Sequence, residues 1–130
     1  MQKLTIYTDG ASKGNPGDAG IGVVICDESG KTVKEIAEYI GKETNNVAEY
    51  TALLVGLREA KLLGASEVTV ITDSELMERQ LNGRYQVKSP NIIGLFQEAK
   101  KSLAGFNRFK VTHDLRGSNS KADGLANEGV

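Results

Sequence analysis

The chain has 130 residues, of which 39% are hydrophobic and 25% charged, and a net charge of -1. That length fits one domain, 1–130, able to bury a core without disulfide or metal staples, and the balance excludes a disordered or fibrous chain. No apolar run approaches the roughly 20 residues that span a bilayer, so we expect no membrane partner and a cytoplasmic location.

In chain order, Leu4 to Tyr7 is a β-branched and apolar run that stops at Thr8-Asp9-Gly10 and reads as a strand ending in a carboxylate. Gly10 to Gly20 is rich in breakers and reads as a loop. It lacks both Gly-Lys-Ser/Thr and the GxGxxG spacing, which excludes a nucleotide-binding P-loop or a dinucleotide fingerprint. Gly20 to Cys26 then reads as a strand, Asp27 to Gly30 as a turn and Lys31 to Ile40 as the hairpin partner. Cys26, the single cysteine, cannot form an internal disulfide and reads as a small core residue.

Thr44-Asn45-Asn46 supplies helix-start chemistry for Val47 to Leu63, with Gly64 as the stop. Steps of four, seven, eleven and fourteen from Glu49 reach Leu53, Gly56, Ala60 and Leu63, so a carboxylate lies in register with the apolar stripe. An unpaired buried charge is costly, and Glu49 therefore calls for a nearby cation or metal. The alternative places Glu49 in a fraying first turn, where it merely favours the helix dipole. Gly56 on the same stripe lets the helix approach the sheet closely.

Glu67 to Thr72 repeats the first strand's logic and ends at Thr72-Asp73-Ser74. Asp73 leads a short helix through Leu81, where an N-cap is its simplest role. Ser89-Pro90 opens a helix carrying Ile92, Leu95 or Phe96, Ala99 and Leu103. Phe106 to His113 alternates as a strand, and Asn119 or Ser120 caps a last helix with Ala122, Leu125 and Ala126. Asp123 falls in its first turn. The expected fold class is α/β: a mixed five-stranded sheet, three antiparallel strands then two parallel additions, flanked by helices.

Four acids, Asp9, Glu49, Asp73 and Asp123, thus stand at element ends or on a buried face. Ligands gather outside the carboxyl ends of parallel strands, so these acids are candidates for one cleft. Mg²⁺ takes a few carboxylate oxygens while keeping waters and substrate phosphate, and two such ions about 4 Å apart clamp both oxygens of a phosphodiester displacement. Residues 79–121 hold nine Lys/Arg against Glu98 and Asp114, while residues 1–78 hold seven against thirteen acids. A basic region beside an acidic cleft suits a polyanion, although a solvated helix face gives the same charge pattern.

TDGASKGNPGDAGIG, TNNVAEYTALLVGLREA, ITDSELMERQLNG and NSKADGLANEG resemble, in order and separation, the four segments of type 1 ribonuclease H (ribonuclease HI) in its short-loop form. The resemblance covers nearly the whole chain. It implies the ribonuclease H-like fold and a monomer that cleaves the RNA strand of an RNA/DNA hybrid, leaving 5′-phosphate and 3′-hydroxyl ends. By that likeness Asp9, Glu49, Asp73 and Asp123 are catalytic residues holding two Mg²⁺ ions, with Mn²⁺ as a substitute. Asn15, Asn45 and Asn46 match positions that contact RNA 2′-hydroxyls and neighbouring bases, and Thr44 matches one that holds a DNA phosphate. An Asn amide can both donate to and accept from the 2′-OH that distinguishes RNA from DNA, although turn and cap duty would also explain these residues.

The chain departs from many members of that family. The basic insertion between the helices is reduced to Gly83 to Ser89, which leaves Arg84, Lys88, Lys100 and Lys101 as candidates for hybrid affinity, and no hybrid-binding domain precedes Met1, which implies distributive action. The loop Asp114 to Asn119 lacks the His or Glu that many members place before the last Asp. His113 reads as a core or rim residue. Arg116 matches an Arg of short-loop relatives and is a candidate catalytic phosphate ligand, since a guanidinium binds phosphate bidentately but cannot act as a base at neutral pH. A catalytically weak hybrid-binding module of the same fold is the alternative function.

Overall fold

A computed structural model describes residues 2–113 and 120–129. Strands β1 (Gln2–Gly14), β2 (Gly17–Cys26) and β3 (Thr32–Glu43) precede helix α1 (Asn45–Leu62). β4 (Ala65–Thr72), α2 (Glu75–Leu81), α3 (Pro90–Ala104), β5 (Arg108–His113) and α4 (Ser120–Gly129) follow. The sheet order is β3-β2-β1-β4-β5, with β1 antiparallel to β2, β2 antiparallel to β3, and β4 parallel to both β1 and β5. This is the mixed sheet expected from the sequence.

Side chains alternate across β1, and Leu4, Ile6 and Thr8 are buried on the face that α1 covers. Gly56 brings α1 down onto that face, where a Cβ in its place would lie 2.7 Å from Ile6 Cγ2. α4 packs on the other face. A Cβ at Gly22, opposite Asp9 in the ladder, would lie 2.0 Å from the Ala122 carbonyl oxygen. The α1 side holds the main core, including Ile6, Ile21, Val23, Ile25, Leu53, Leu57, Val70 and Leu103.

The largest departure from expectation is the segment 10–20. It is not a loop: β1 runs on to Gly14 and β2 starts at Gly17, with Ala11 opposite Gly20 and Lys13 opposite Asp18. β3 lengthens correspondingly, so that Glu43 pairs with Gly17. Asp9 therefore lies within a strand, not at its end. What ends there is the neighbour, because β4 stops at Thr72 opposite Thr8 while β1 runs on beyond it, still paired with β2.

Other boundaries shift for local reasons. Thr44 caps α1 by accepting from Val47 N at 3.2 Å, so the helix starts at Asn45, and Leu63 is its 40%-exposed C-cap, beyond an apolar stripe that ends at Ala60. Ser74, not Asp73, caps α2, accepting from Met77 N at 3.1 Å. β5 begins at Arg108, two residues later than expected, because Phe106 is buried in the turn before it. Phe109 is exposed while Val111 on the same face is buried, so the alternation is incomplete. Cys26 is half-buried at the end of β2, its Sγ 3.8 Å from Thr32 Oγ1, and is not a core residue. No helix among the described residues is long and apolar enough to cross a membrane.

Candidate active site

Where β1 outlasts β4, elements from both faces of the sheet converge. Thr8 points towards α1, so its neighbour Asp9 points towards α4, and Asp9 is 5% exposed. Asp123 stands in the first turn of α4 on that side and hydrogen-bonds to the Asp9 carboxyl. Gly10 turns back towards α1 and meets its backbone, where a Cβ would lie 2.3 Å from the Ala48 carbonyl carbon. This contact brings the Gly10 N–H to Glu49 Oε1, to which it donates at 2.7 Å. Glu49 also shares a hydrogen bond with Asp9. Asp73 follows β4 directly, exposed, and the next residue is anchored by Ser74 N donating to Thr72 Oγ1 at 3.0 Å.

The electrostatics follow from this crowding. Burial, the hydrogen bond with Asp123 and the charges of Glu49, Asp123 and Asp73 push Asp9 up from 3.8 to about 9. Glu49 rises from 4.5 to about 7, chiefly through burial, with the charges of Asp73 and Asp123 adding and the Gly10 N–H and Asp9 opposing. The expected cationic neighbour of Glu49 is absent among the described residues. A backbone N–H and a shared proton take its place, and the engagement of this carboxylate by Gly10 rules out a merely fraying helix-end acid.

The donor set is all oxygen, which suits a hard divalent cation such as Mg²⁺. Among the described residues no group of three or more His, Cys, Asp or Glu is arranged to hold an ion as it stands. The like charge that raises Asp9 is what a cation at the cluster would neutralise, so in chemistry the residues fit such an ion.

The sequence candidates for substrate contact gather at the adjoining hairpin tip. Asn15 Oδ1 accepts from Asn45 N at 3.0 Å, which ties the β1–β2 turn to the start of α1 and leaves the Asn15 amide N–H groups for other partners. Asn15, Asn45 and Asn46 are exposed. The Thr44 oxygen caps α1 while its O–H remains able to donate. Arg116, with the rest of 114–119, lies outside the described residues. His113 is half-buried at the end of β5, opposite Thr72. Arg84 and Lys88 are exposed between α2 and α3, and Lys100 Nζ reaches the Leu81 carbonyl at 3.3 Å. Lys101 instead lines a separate groove between α1 and α3.

Two features escaped the sequence reading. Gly10 looked like a loop breaker, although its place immediately after Thr-Asp was the available signal for a close approach. Tyr50 donates to Gln80 Oε1 at 2.7 Å, both buried, and locks α1 to α2 beside Glu49. Nothing in the spacing announced that pair.

A mixed β3-β2-β1-β4-β5 sheet with an acid cluster beside the carboxyl ends of its central parallel strands defines the ribonuclease H-like class. A family model described as reverse transcriptase-like matches residues 7–129. The bifunctional protein Rv2228c of Mycobacterium tuberculosis is 42% identical over 129 residues, 98% of this chain and 35% of that protein. Ribonuclease HI of Halobacterium salinarum is 40% identical over 128 residues, 98% of this chain and 64% of that protein. LC11 RNase H1, solved in complex with an RNA/DNA hybrid, superposes with a TM-score of 0.91 at 43% identity, covering 98% of this chain and 96% of that one. The chain belongs to the ribonuclease H family. It spans about a third of the length of the Mycobacterium relative and 64% of the Halobacterium one.

Proposed function

We propose that the chain is an endonuclease that hydrolyses the RNA strand of RNA/DNA hybrids, leaving 5′-phosphate and 3′-hydroxyl ends. The observation that carries this is the convergence of Asp9, Glu49 and Asp123 through shared hydrogen bonds, with Asp73 close enough for its charge to raise Asp9. A purely structural domain gains nothing from gathering three further acids about a buried Asp9. The hybrid bound by the LC11 relative supports the choice of substrate.

In this reading Asp9, Glu49, Asp73 and Asp123 hold two Mg²⁺ ions, or Mn²⁺ in their place. When bound, such ions supply Lewis-acid activation of water and neutralise charge on the departing 3′ oxygen. The chain's own residues do the rest. The Gly10 N–H fixes one Glu49 oxygen, the Asn15–Asn45 bond sets the hairpin tip against α1, and Asn15, Asn45 and Asn46 present amides to the ribose 2′-hydroxyls. The Thr44 O–H donates to a DNA phosphate, and Arg116 binds the scissile or product phosphate.

The test is cleavage of end-labelled RNA as hybrid, duplex and single strand, with Mg²⁺, Mn²⁺ or EDTA. The expected result is metal-dependent cutting of the hybrid alone, abolished in Asp73→Asn while hybrid binding persists in Ca²⁺. Retained turnover by Asp73→Asn would remove the four-acid assignment. The loop 114–119 holds neither His nor Glu, which keeps a second reading, a catalytically weak hybrid-binding module. Binding without cutting in either metal would select it.

A further inference from the structure

Between α3 and the connection 82–89 that leads into it lies a cavity of about 290 Å³ that no step of the proposed reaction uses. Its lining is largely apolar: Val87 and Phe96 are half-buried, while Tyr85 and Ile93 are 46% and 37% exposed. Gln80 also lines it, is only 8% exposed, and spends Oε1 on the Tyr50 O–H at 2.7 Å. Among the described residues no group accepts from its Nε2. A fixed amide donor therefore opens into an apolar cavity, where an unmet hydrogen bond is costly. Tyr50 follows Glu49 on α1, so the cavity lies close to the acid cluster. The exposed ring beside this donor is held in place. Arg79 donates to the Tyr85 hydroxyl at 2.7 Å, and its guanidinium stands 5.3 Å from the ring centroid. The Arg79 carbonyl accepts from Arg84 N and Tyr85 N at 2.8 and 3.2 Å, and Glu75 holds the guanidinium at 2.9 Å. A ring fixed in advance lowers the ordering cost of anything that stacks on it. Lys100 is the one charged residue of the lining among the described residues, and Arg84 and Lys88 are exposed on the same connection.

We propose that this cavity takes one unpaired base of a single-stranded segment running on from the hybrid. The base stacks on Tyr85, a ring carbonyl accepts from Gln80 Nε2, and the flanking phosphates lie on Arg84 and Lys88. The proposal rests on the hybrid-nuclease reading and adds to that substrate surface a place for strand that is no longer paired. Charge selects the sign, since the chain as a whole is net negative while this cavity and the connection beside it carry cations. The aromatic platform and the buried donor select a base over a bare phosphate or carboxylate, which would engage the cations and leave the amide unmet. An aromatic ring beside cations is the usual means of holding single strands. A paired base is excluded, because its faces are stacked and its edge is already hydrogen-bonded. The donor also sets a preference: thymine, cytosine and guanine carry a ring carbonyl, whereas adenine does not. The small volume favours a pyrimidine among them.

The test separates base, backbone and hybrid. The full chain in Ca²⁺ is titrated with DNA tetramers of thymidylate, of adenylate and of abasic sites, followed by NMR at the Gln80 side-chain amide and the Gly83 and Val87 backbone amides. Thymidylate should shift these signals and bind at least about fivefold more tightly than either of the other tetramers. In anisotropy measurements, four thymidylates added beyond the end of a labelled hybrid should tighten binding about fivefold or more over the blunt hybrid. That ratio should fall below about twofold with an abasic extension, and also in Tyr85→Ala, a substitution at an exposed position. Equal binding of the abasic tetramer would reduce the site to charge and overturn the proposal. So would adenylate binding as tightly as thymidylate, or a ratio undiminished in Tyr85→Ala. Failure of the hybrid-nuclease reading would show separately, as a blunt hybrid neither bound nor cut, while the thymidylate titration still decides the cavity.

Discussion

Removing the charge of Asp9 should stabilise the metal-free protein, and most strongly at alkaline pH. Unfolded, Asp9 ionises near its ordinary 3.8, whereas in the folded cluster it ionises near 9. Between those values the folded chain keeps a proton that the unfolded chain has lost, so its stabilising contribution is complete below pH 4 and is lost as pH rises towards 9. Each pH unit in that window removes up to about 1.4 kcal/mol, and the whole window up to about 7 kcal/mol. Asp73 and Asp123 are exposed, and counter-ions screen part of their repulsion, so we expect a measured difference of about 2–4 kcal/mol between pH 5.5 and 8.5.

Asp9→Asn keeps the shape and a donor for Asp123 but cannot ionise. Urea unfolding of both proteins in EDTA at the two pH values isolates the effect, because every other group titrates in both. The parent should lose stability on going to pH 8.5 and the variant should lose much less, with Mg²⁺ restoring only the parent. Parallel pH profiles would refute the electrostatic reading of the cluster.

Gly10→Ala places a Cβ 2.3 Å from the Ala48 carbonyl carbon, against backbone that cannot turn aside, so α1 must shift. It should cost about 3 kcal/mol or more by urea unfolding and abolish cleavage even if the fold survives. Tyr50→Phe leaves the buried Gln80 carbonyl unpaired and should cost about 1–3 kcal/mol, whereas Tyr50→Phe/Gln80→Met should recover most of it, a coupling that a double-mutant cycle measures. Arg116→Ala should slow turnover yet leave Tm almost unchanged, and an unaltered rate would remove Arg116 from the site. Mg²⁺ binding at pH 7 should release protons from Asp9 and Glu49, visible as buffer-dependent calorimetric heats. Heats independent of the buffer would show that the acids were already ionised.

Much of the fold was legible because its signals are local. The Thr-Asp endings marked the two strands whose parallel pairing makes the cleft, Thr44 marked the start of α1, and the stripe from Glu49 to Ala60 marked its buried face. The segment 10–20 was misread because glycine signals both chain reversal and close approach. Gly10 and Gly20 sit inside strands, and Gly10 serves to admit the backbone of α1. Spacing along a single chain cannot separate these uses, since the clashing atom belongs to another element. For the same reason the partner of Glu49 within the chain was sought among cations, whereas the structure supplies a backbone N–H, a donor every residue but proline carries. Cys26 was misplaced because an apolar run does not show where the sheet's cover stops.

The four acids are placed unequally, and this explains why Asp9 holds its proton more tightly than Glu49 does. Asp123 stands exposed in the first turn of α4, where the helix dipole favours negative charge. Asp73 has water. Glu49 stands in the second turn of α1, where the dipole has largely faded, and receives the Gly10 N–H instead. Asp9 alone is fixed on a strand, almost fully buried, with neither helix end nor solvent, and its carboxyl is satisfied by sharing a proton with its neighbours. β1 puts it there because it outlasts β4, so Asp9 lies between the carboxylates of Glu49 and Asp123, carried by helices on opposite faces of the sheet. In the proposed reading a cation would therefore be needed most at Asp9, which makes a central strand the anchor of the site.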